Sequence, residues 1–328
     1  MSIIFLGGNL QQIAGVGGVS TAGGTFDSNF SKFAYRAAST AKSSAPLLAS
    51  ASEWWFHTVF YNSEGYQANF NVISFTVGGT DNYALRSTSG TNFVLSVLSG
   101  ASWSNLTETA VTLADDTLYT IDIHFHPDGT TGVAELYVDG VLIGTSTGAI
   151  IGDGGATIDG VSIRSNYLNN GQGIYFSEMV MTNDDDEPTI GWHVSTLLPT
   201  AAGATSGWTG AYTDVDETIL DTGDYLSTNT DSTITTMTFG DIDASVDSDV
   251  VVGVYVCAVV SKIAGAAVTN IDVVARPSTT NYFDENSGTL ATGSLTNYVA
   301  ELPLNPETAG AWTVAAVEGC EFGFRANT

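Results

Sequence analysis

Residues 118–143 leave few folds open. Tyr119, Ile121, Ile123 and Phe125 alternate with Thr120, Asp122, His124 and His126, a period of two that puts one set on a buried face and the other on a wet one. Pro127-Asp128-Gly129 turns the chain, and Ala134, Leu136 and Val138 then alternate with Glu135, Tyr137 and Asp139. Asp139-Gly140 pairs two residues that tolerate positive φ, the strongest short-range hairpin signal. Val141-Leu142-Ile143 returns as a third strand. This meander predicts an antiparallel sheet with one apolar face, which a second sheet must cover.

The rest of the chain has the same texture. Ile73–Val77, Phe93–Leu98, Val161–Arg164 and Ile174–Met181 read as further strands of a two-sheet sandwich, separated by Gly, Asn and Asp. No long helix is predicted. Residues 1–49, rich in Gly, Ser and Ala, read as an N-terminal arm or an irregular first strand, and residues 50–200 as the sandwich. Residues 201–328 read as a second β-sandwich with strands near Ile234–Phe239, Val250–Val260, Ile271–Arg276, Tyr298–Leu302 and Trp312–Val317. Val250–Val260 is apolar at successive positions, so cover on both faces is expected.

With 328 residues and 43 % apolar content the chain can bury a core, and 35 acidic against 8 basic groups leave a net charge of -27. Such a surface repels nucleic acid and anionic lipid, so neither is an expected partner. No apolar run is long enough to span a bilayer as a helix. The start, Met1-Ser-Ile-Ile-Phe-Leu, lacks a basic n-region and a cleavage site, which argues against export. Cys257 and Cys320 make no disulfide framework, and pairing between them is left open.

Tyr119-Thr-Ile-Asp-Ile-His-Phe-His-Pro-Asp-Gly129 followed by Gly132-Val-Ala-Glu-Leu-Tyr-Val-Asp-Gly140 resembles the hairpin of concanavalin A-like, and especially laminin-G-like, jelly rolls. Further motifs resemble structural proteins of tailed-bacteriophage virions. They are Gly191-Trp-His-Val-Ser-Thr-Leu-Leu-Pro-Thr-Ala-Ala-Gly203, Trp208-Thr-Gly210, Asp214-Val-Asp-Glu217, Asp224-Tyr-Leu-Ser227, Asn305-Pro-Glu-Thr-Ala-Gly-Ala-Trp-Thr313 and Glu321-Phe-Gly-Phe-Arg325. The resemblance implies an all-β tail or capsid-surface component, located on the virion and assembled with other virion proteins. A homo-oligomer is implied as well, a trimer if the protein is a fibre. An exported lectin of a marine bacterium and a glycan-cleaving enzyme are the alternatives.

No catalytic set is expected: no Glu-x-Asp-x-Glu array occurs, Glu135 and Asp139 stand about 13 Å apart along a strand, and no Gly-x-Ser-x-Gly turn is present. Asp122, His124 and His126 share a strand face, yet His57 and His193 are remote in sequence, so no metal is assigned. Asp241–Asp249 spaces oxygen ligands as an EF-hand does but has Val246 where Gly is needed and Val252 where the closing Glu belongs. No cofactor is expected, with weak Ca²⁺ binding left open. Host surface polysaccharide is the candidate ligand, because Tyr83, Trp103 and Tyr167, with Asn169, lie in or beside polar loops suited to stacking on and hydrogen-bonding a sugar. Ile3, Ile4, Phe5 and Leu6 are the candidates for a strand that docks into an adjacent subunit.

Overall fold

The computed structural model describes residues 3–7, 19–20, 34–36, 42–62, 69–89, 91–106, 110–164, 174–183, 188–217, 221–243, 250–284 and 290–328. Contacts divide the chain into two compact units, Met1–Ser195 and Thr196–Thr328.

Strands of the first unit are β1 (Ile3–Gly7), β2 (Val19–Ser20), β3 (Ala34–Arg36), β4 (Lys42–Ala51), β5 (Trp54–Asn62), β6 (Phe70–Val77), β7 (Thr80–Ser89) and β8 (Asn92–Ser99). They continue as β9 (Ser102–Asn105), β10 (Val111–Thr112), β11 (Thr117–His126), β12 (Asp128–Val138), β13 (Val141–Ile150), β14 (Ile158–Arg164) and β15 (Ile174–Thr182). An eight-stranded sheet runs β13-β12-β11-β5-β15-β3-β2, with β1 also on β15; a seven-stranded sheet runs β10-β8-β7-β6-β14-β4, with β9 also on β8. The predicted alternation appears as register: Ile121, Ile123 and Phe125 stand opposite Val138, Leu136 and Ala134 on the inner face. They meet Ile73, Phe75, Leu85 and Leu95 of the other sheet in one core. Trp54 sits in that core with Phe75, Tyr83 and Phe125 at ring distances of 5.5, 5.4 and 5.5 Å. The unit is a two-sheet jelly-roll sandwich.

The described residues within 1–49 lie in strands of the sandwich rather than apart from it as an arm. The described strands β1, β2 and β3 join the eight-stranded sheet and β4 joins the seven-stranded one. Ile3, Ile4, Phe5 and Leu6, expected to dock into a neighbour, lie on a strand paired with β15 of the same chain, with Ile3 opposite Thr182, Leu6 opposite Val180, and a bulge at Ile4. Ile3 is buried. Pairing within the chain costs only loop closure, which grows slowly with length, whereas docking between chains also costs translational and rotational freedom.

The second unit comprises β16 (Pro199–Ser206), a single 3₁₀ turn (Tyr212–Asp214), β17 (Ile234–Phe239), β18 (Val254–Val260), β19 (Asn270–Arg276), β20 (Tyr282–Asp284), β21 (Thr296–Leu302), α1 (Val314–Glu318) and β22 (Glu321–Asn327). A five-stranded sheet β16-β17-β22-β19-β20 and a two-stranded ribbon β18-β21 share a core that includes Val256, Ala300, Val273, Trp312 and Phe322. Two expectations are corrected. Trp312–Val317 leads into a short helix rather than a strand, because Thr313 caps it by accepting the Ala316 N–H at 3.2 Å and two alanines favour the turn. The Val250–Val260 run is not covered on both faces: within Val254–Val260 only Val256 is buried, and Val250 is exposed. Cys257, on β18, and Cys320, just ahead of β22, are not joined by a disulfide, and burial pushes the Cys320 thiol up to about 12.

Candidate functional site

On β14, Val161 and Ile163 point into the core, so Gly160, Ser162 and Arg164 face outward. Register carries that outward row across the seven-stranded sheet. Ser162 stands opposite both Ser44 and Ser74, Ser74 opposite Ala84, Ala84 opposite Ser96, and Ser96 opposite Asn105. Six neighbouring strands thus contribute one row of small, mostly hydroxyl-bearing residues, about 24 Å long at the usual strand spacing. Larger side chains flank it. Arg86 and Arg164 lie to one side, and Trp103, opposite Leu98, lies to the other.

These flanking groups form one polar network. The Arg86 guanidinium lies 5.1 Å from the centre of the Trp103 ring, donates from Nε to Asn71 Oδ1 at 2.8 Å, and donates to the Asn69 carbonyl at 3.2 Å. Asn71, Ser74 and Arg164 donate to Asp81 Oδ2 at 3.4, 3.1 and 2.8 Å. Arg86 is only 8 % exposed, and desolvation lowers its pKa from the usual arginine value. Two buried donors on this face, Ser162 Oγ and Arg164 Nε, have no hydrogen-bond partner.

Trp103 is half-buried on a short strand whose other members, Ser102, Ser104 and Asn105, are exposed. Its hairpin is braced from below. Asp153 accepts the Gly100 and Ala101 N–H groups at 2.8 and 3.0 Å, and those bonds, Ala101 first, hold its carboxyl below the usual range. Asn82 Oδ1 accepts the Gly154 N–H at 2.7 Å. Tyr83, expected as a sugar-stacking ring, is instead a core residue: its ring packs on Trp54, and its hydroxyl donates to the Gly155 carbonyl at 2.6 Å and accepts the Gly152 N–H at 3.0 Å. Alternation decides this, because Tyr83 shares the inward parity of Leu85. Tyr83→Phe should cost about 1–3 kcal/mol, the penalty of two buried backbone groups losing a partner; chemical denaturation measures it, and an unchanged midpoint would rule the anchor out. Tyr167 and Asn169 lie outside the described residues.

The outer face of the eight-stranded sheet holds a second polar array that sequence separation concealed. His57, seemingly remote, stands opposite Asp122 and its Nδ1 lies 2.8 Å from Asp122 Oδ1. Thr189 donates to the same oxygen at 2.8 Å. His193 Nδ1 and the Val194 N–H reach Glu178 at 3.0 and 3.3 Å, so the segment from Thr189 to Val194 is tied to this face at two points. His124 stacks on Trp55 with ring centres 4.5 Å apart, its Nε2 3.0 Å from Glu53 and its Nδ1 3.2 Å from Glu135; His126 lies 3.3 Å from the other Glu53 oxygen. Glu53 also lines a polar cleft of about 290 Å³ with Ser50, Ala51, Ser52 and Asn183. Asp122, His124 and His126 do share a face, but Asp122 is engaged by His57 and Thr189. Among the described residues no three His, Cys, Asp or Glu side chains are arranged to hold a metal ion. The Asp241–Asp249 loop falls largely outside the described residues.

No protein-family profile and no curated protein matches the sequence. Among solved structures there are partial matches of low identity. The globular domain of Trypanosoma cruzi calreticulin is 10 % identical with a TM-score of 0.37, covering 56 % of this chain and 89 % of its own. An endo-β-1,4-glucuronan lyase from the fungus Trichoderma reesei is 10 % identical with a TM-score of 0.38, covering 56 % and 96 %. The carbohydrate-binding module CBM66 from Bacillus subtilis is 11 % identical with a TM-score of 0.33, covering 45 % and 85 %. Likeness at this level bears on neither ligand nor activity.

Proposed function

We propose that the chain is a non-enzymatic surface component of a tailed-phage particle whose jelly-roll unit holds a glycan on the outer face of its seven-stranded sheet. The observation that carries the binding part is Trp103, half-exposed on a braced hairpin, with Arg86 against its ring and exposed Asn105 two residues along on the same strand face. An indole supplies the apolar plane that a sugar ring stacks on, while amides and hydroxyls read the sugar hydroxyls. The mechanism is adhesion and assembly rather than bond making. Support for the particle comes from the virion-like motifs in 191–227 and 305–325; association with other virion proteins, and into a homo-oligomer, belongs to the same proposal.

Two experiments test it. Cryo-electron microscopy of particles from the source should show this chain on a capsid or tail, and its absence from every particle would overturn the particle assignment. On a glycan array, wild type should retain ligands that Trp103→Ala loses by about tenfold or more, the scale of a central aromatic anchor, with the circular dichroism spectrum unchanged. Equal binding by both proteins would remove Trp103 from the site.

A further inference from the structure

A sheet ends where a strand has a neighbour on one side only, and the N–H and C=O groups left on its free side form a template for another strand. The two sheets of the first unit end at β2 and β13 and at β10 and β4, with β1 and β9 attached beside β15 and β8. β2 and β10 are two residues long, β1 and β9 five and four, and β4 carries Lys42 and Pro46. Short length, lysine and proline all blunt an edge. β13 has none of these. It runs for ten residues without a charge or a proline, and among the described residues it pairs with β12 alone. Val141 and Leu142 at its start are 60 % and 46 % exposed, and Ile151 just past its end is 44 % exposed.

The sequence along that edge reads alike in both directions. Outward from Ser146, Thr145 matches Thr147 and Gly144 matches Gly148. Ile143, Leu142 and Val141 then match the apolar Ala149, Ile150 and Ile151, Gly140 matches Gly152, and Asp139 matches Asp153. Pairing with β12 makes no use of this symmetry, since β12 lacks it. An antiparallel strand that faces its own copy does use it, because a two-fold axis sets residue i against j and j against i. We propose that β13 docks on β13 of a second copy, with Ser146 on a two-fold axis, so that two eight-stranded sheets become one. The proposal rests on the homo-oligomer of the preceding section and gives it an edge and a symmetry. Thr145 and Thr147 are exposed and stand opposite Glu135 and Val133, which alternate with the core residues Ala134 and Leu136. On that outer face Thr145 meets Thr147 of the partner subunit, and toward each end apolar triplets meet apolar triplets. The bulge that puts Ile143 out of step with β12 lies outside the central Gly144–Gly148.

No charged residue lies between Asp139 and Asp153. Those two acids are held by their own chain: Asp139 accepts the Thr120 N–H at 2.8 Å, and Asp153 accepts the Gly100 and Ala101 N–H groups at 2.8 and 3.0 Å. Glu135 and Asp128 belong to β12, one strand further in. The pairing still brings Asp139 near Asp153 of the partner subunit, and each copy carries -27, so salt should tighten it.

The test is sedimentation of the full chain at about 100 μM, far above a micromolar dissociation constant. A dimer is expected, tighter in about 1 M than in about 0.1 M salt, as the screening length falls from about 10 to about 3 Å. Thr145→Lys combined with Thr147→Lys should keep the melting temperature and weaken the dimer by about tenfold or more, because each lysine then faces another. Thr145→Glu combined with Thr147→Glu should do the same. Mixing the two double variants should restore a one-to-one dimer, a result that damage to the fold could not produce. Ser146→Cys should cross-link to its copy on mild oxidation, beyond the wild-type background, since residues on the axis stand about 4.5–5.5 Å apart at Cα. A dimer or trimer that both double variants leave intact, or a mixture that stays monomeric, overturns the β13 edge and leaves a homo-oligomer standing. A wild-type monomer at every salt concentration overturns both.

Discussion

Trp54→Ala should lower the stability of the first unit by about 3–5 kcal/mol, the usual cost of deleting a fully buried large aromatic. Trp54 opens β5, is wholly buried, and touches rings from both sheets: Phe125 from its own and Phe75 and Tyr83 from the other. It is therefore a cross-sheet joint, and no neighbour on a strand can swing in to refill its space. Since domains retain only about 5–15 kcal/mol in total, the variant should unfold at a much lower denaturant concentration. Guanidinium titration followed by circular dichroism reads the shift, and a loss below about 1 kcal/mol would show that the core collapses around the hole.

Asp122→Ala should cost a similar amount, about 3–5 kcal/mol, for a different reason. Asp122 is fully buried, and its Oδ1 takes both the His57 ring and the Thr189 hydroxyl. Its removal strands a buried imidazole that cannot reach water and cuts one of the two ties that hold the Thr189–Val194 segment. Hydrogen exchange should therefore rise first over residues 189–194 and in β5 around His57, before the rest of the unit. Asp122→Asn, which keeps an oxygen for Thr189 and His57, should fall between wild type and alanine. Uniform loss of protection across the unit would show that the pair acts only through global stability.

Both sites were half visible in the chain. The period of two in β11 and β12 was enough to place Ile121, Ile123, Phe125 and Leu136 in the core, and Asp139-Gly140 the turn, because alternation and turn chemistry are local. Tyr83 misled because it adjoins Asp81-Asn82, a polar pair that reads as a loop but begins β7. The serine row across the seven-stranded sheet was invisible for a different reason. Ser44, Ser74, Ser96 and Ser162 are separated by tens of residues, and only cross-strand register makes them neighbours. The same holds for His57 and Asp122, which lie 65 positions apart and share one hydrogen bond. A usable signal did exist in the arginines: a chain so poor in cations places Arg86 and Arg164 at outward positions of strands in one sheet. In the second unit, Val250–Val260 had the composition of a central strand but lies in a two-stranded ribbon, because composition reports strand propensity and not the number of neighbours.

The pairing of β1 with β15 also sets a timetable. The partners of Ile3 and Leu6 are Thr182 and Val180, so during synthesis an uncharged apolar strand has emerged long before its place in the sheet exists. At ribosomal rates of roughly 5–20 residues per second the wait is on the order of 10–35 s. Through that interval Ile3-Ile4-Phe5-Leu6 is an unpaired strand with nothing to hide against, a natural client for a chaperone. High expression at elevated temperature should therefore drive this chain into inclusion bodies through its first strand, and slower synthesis should rescue it.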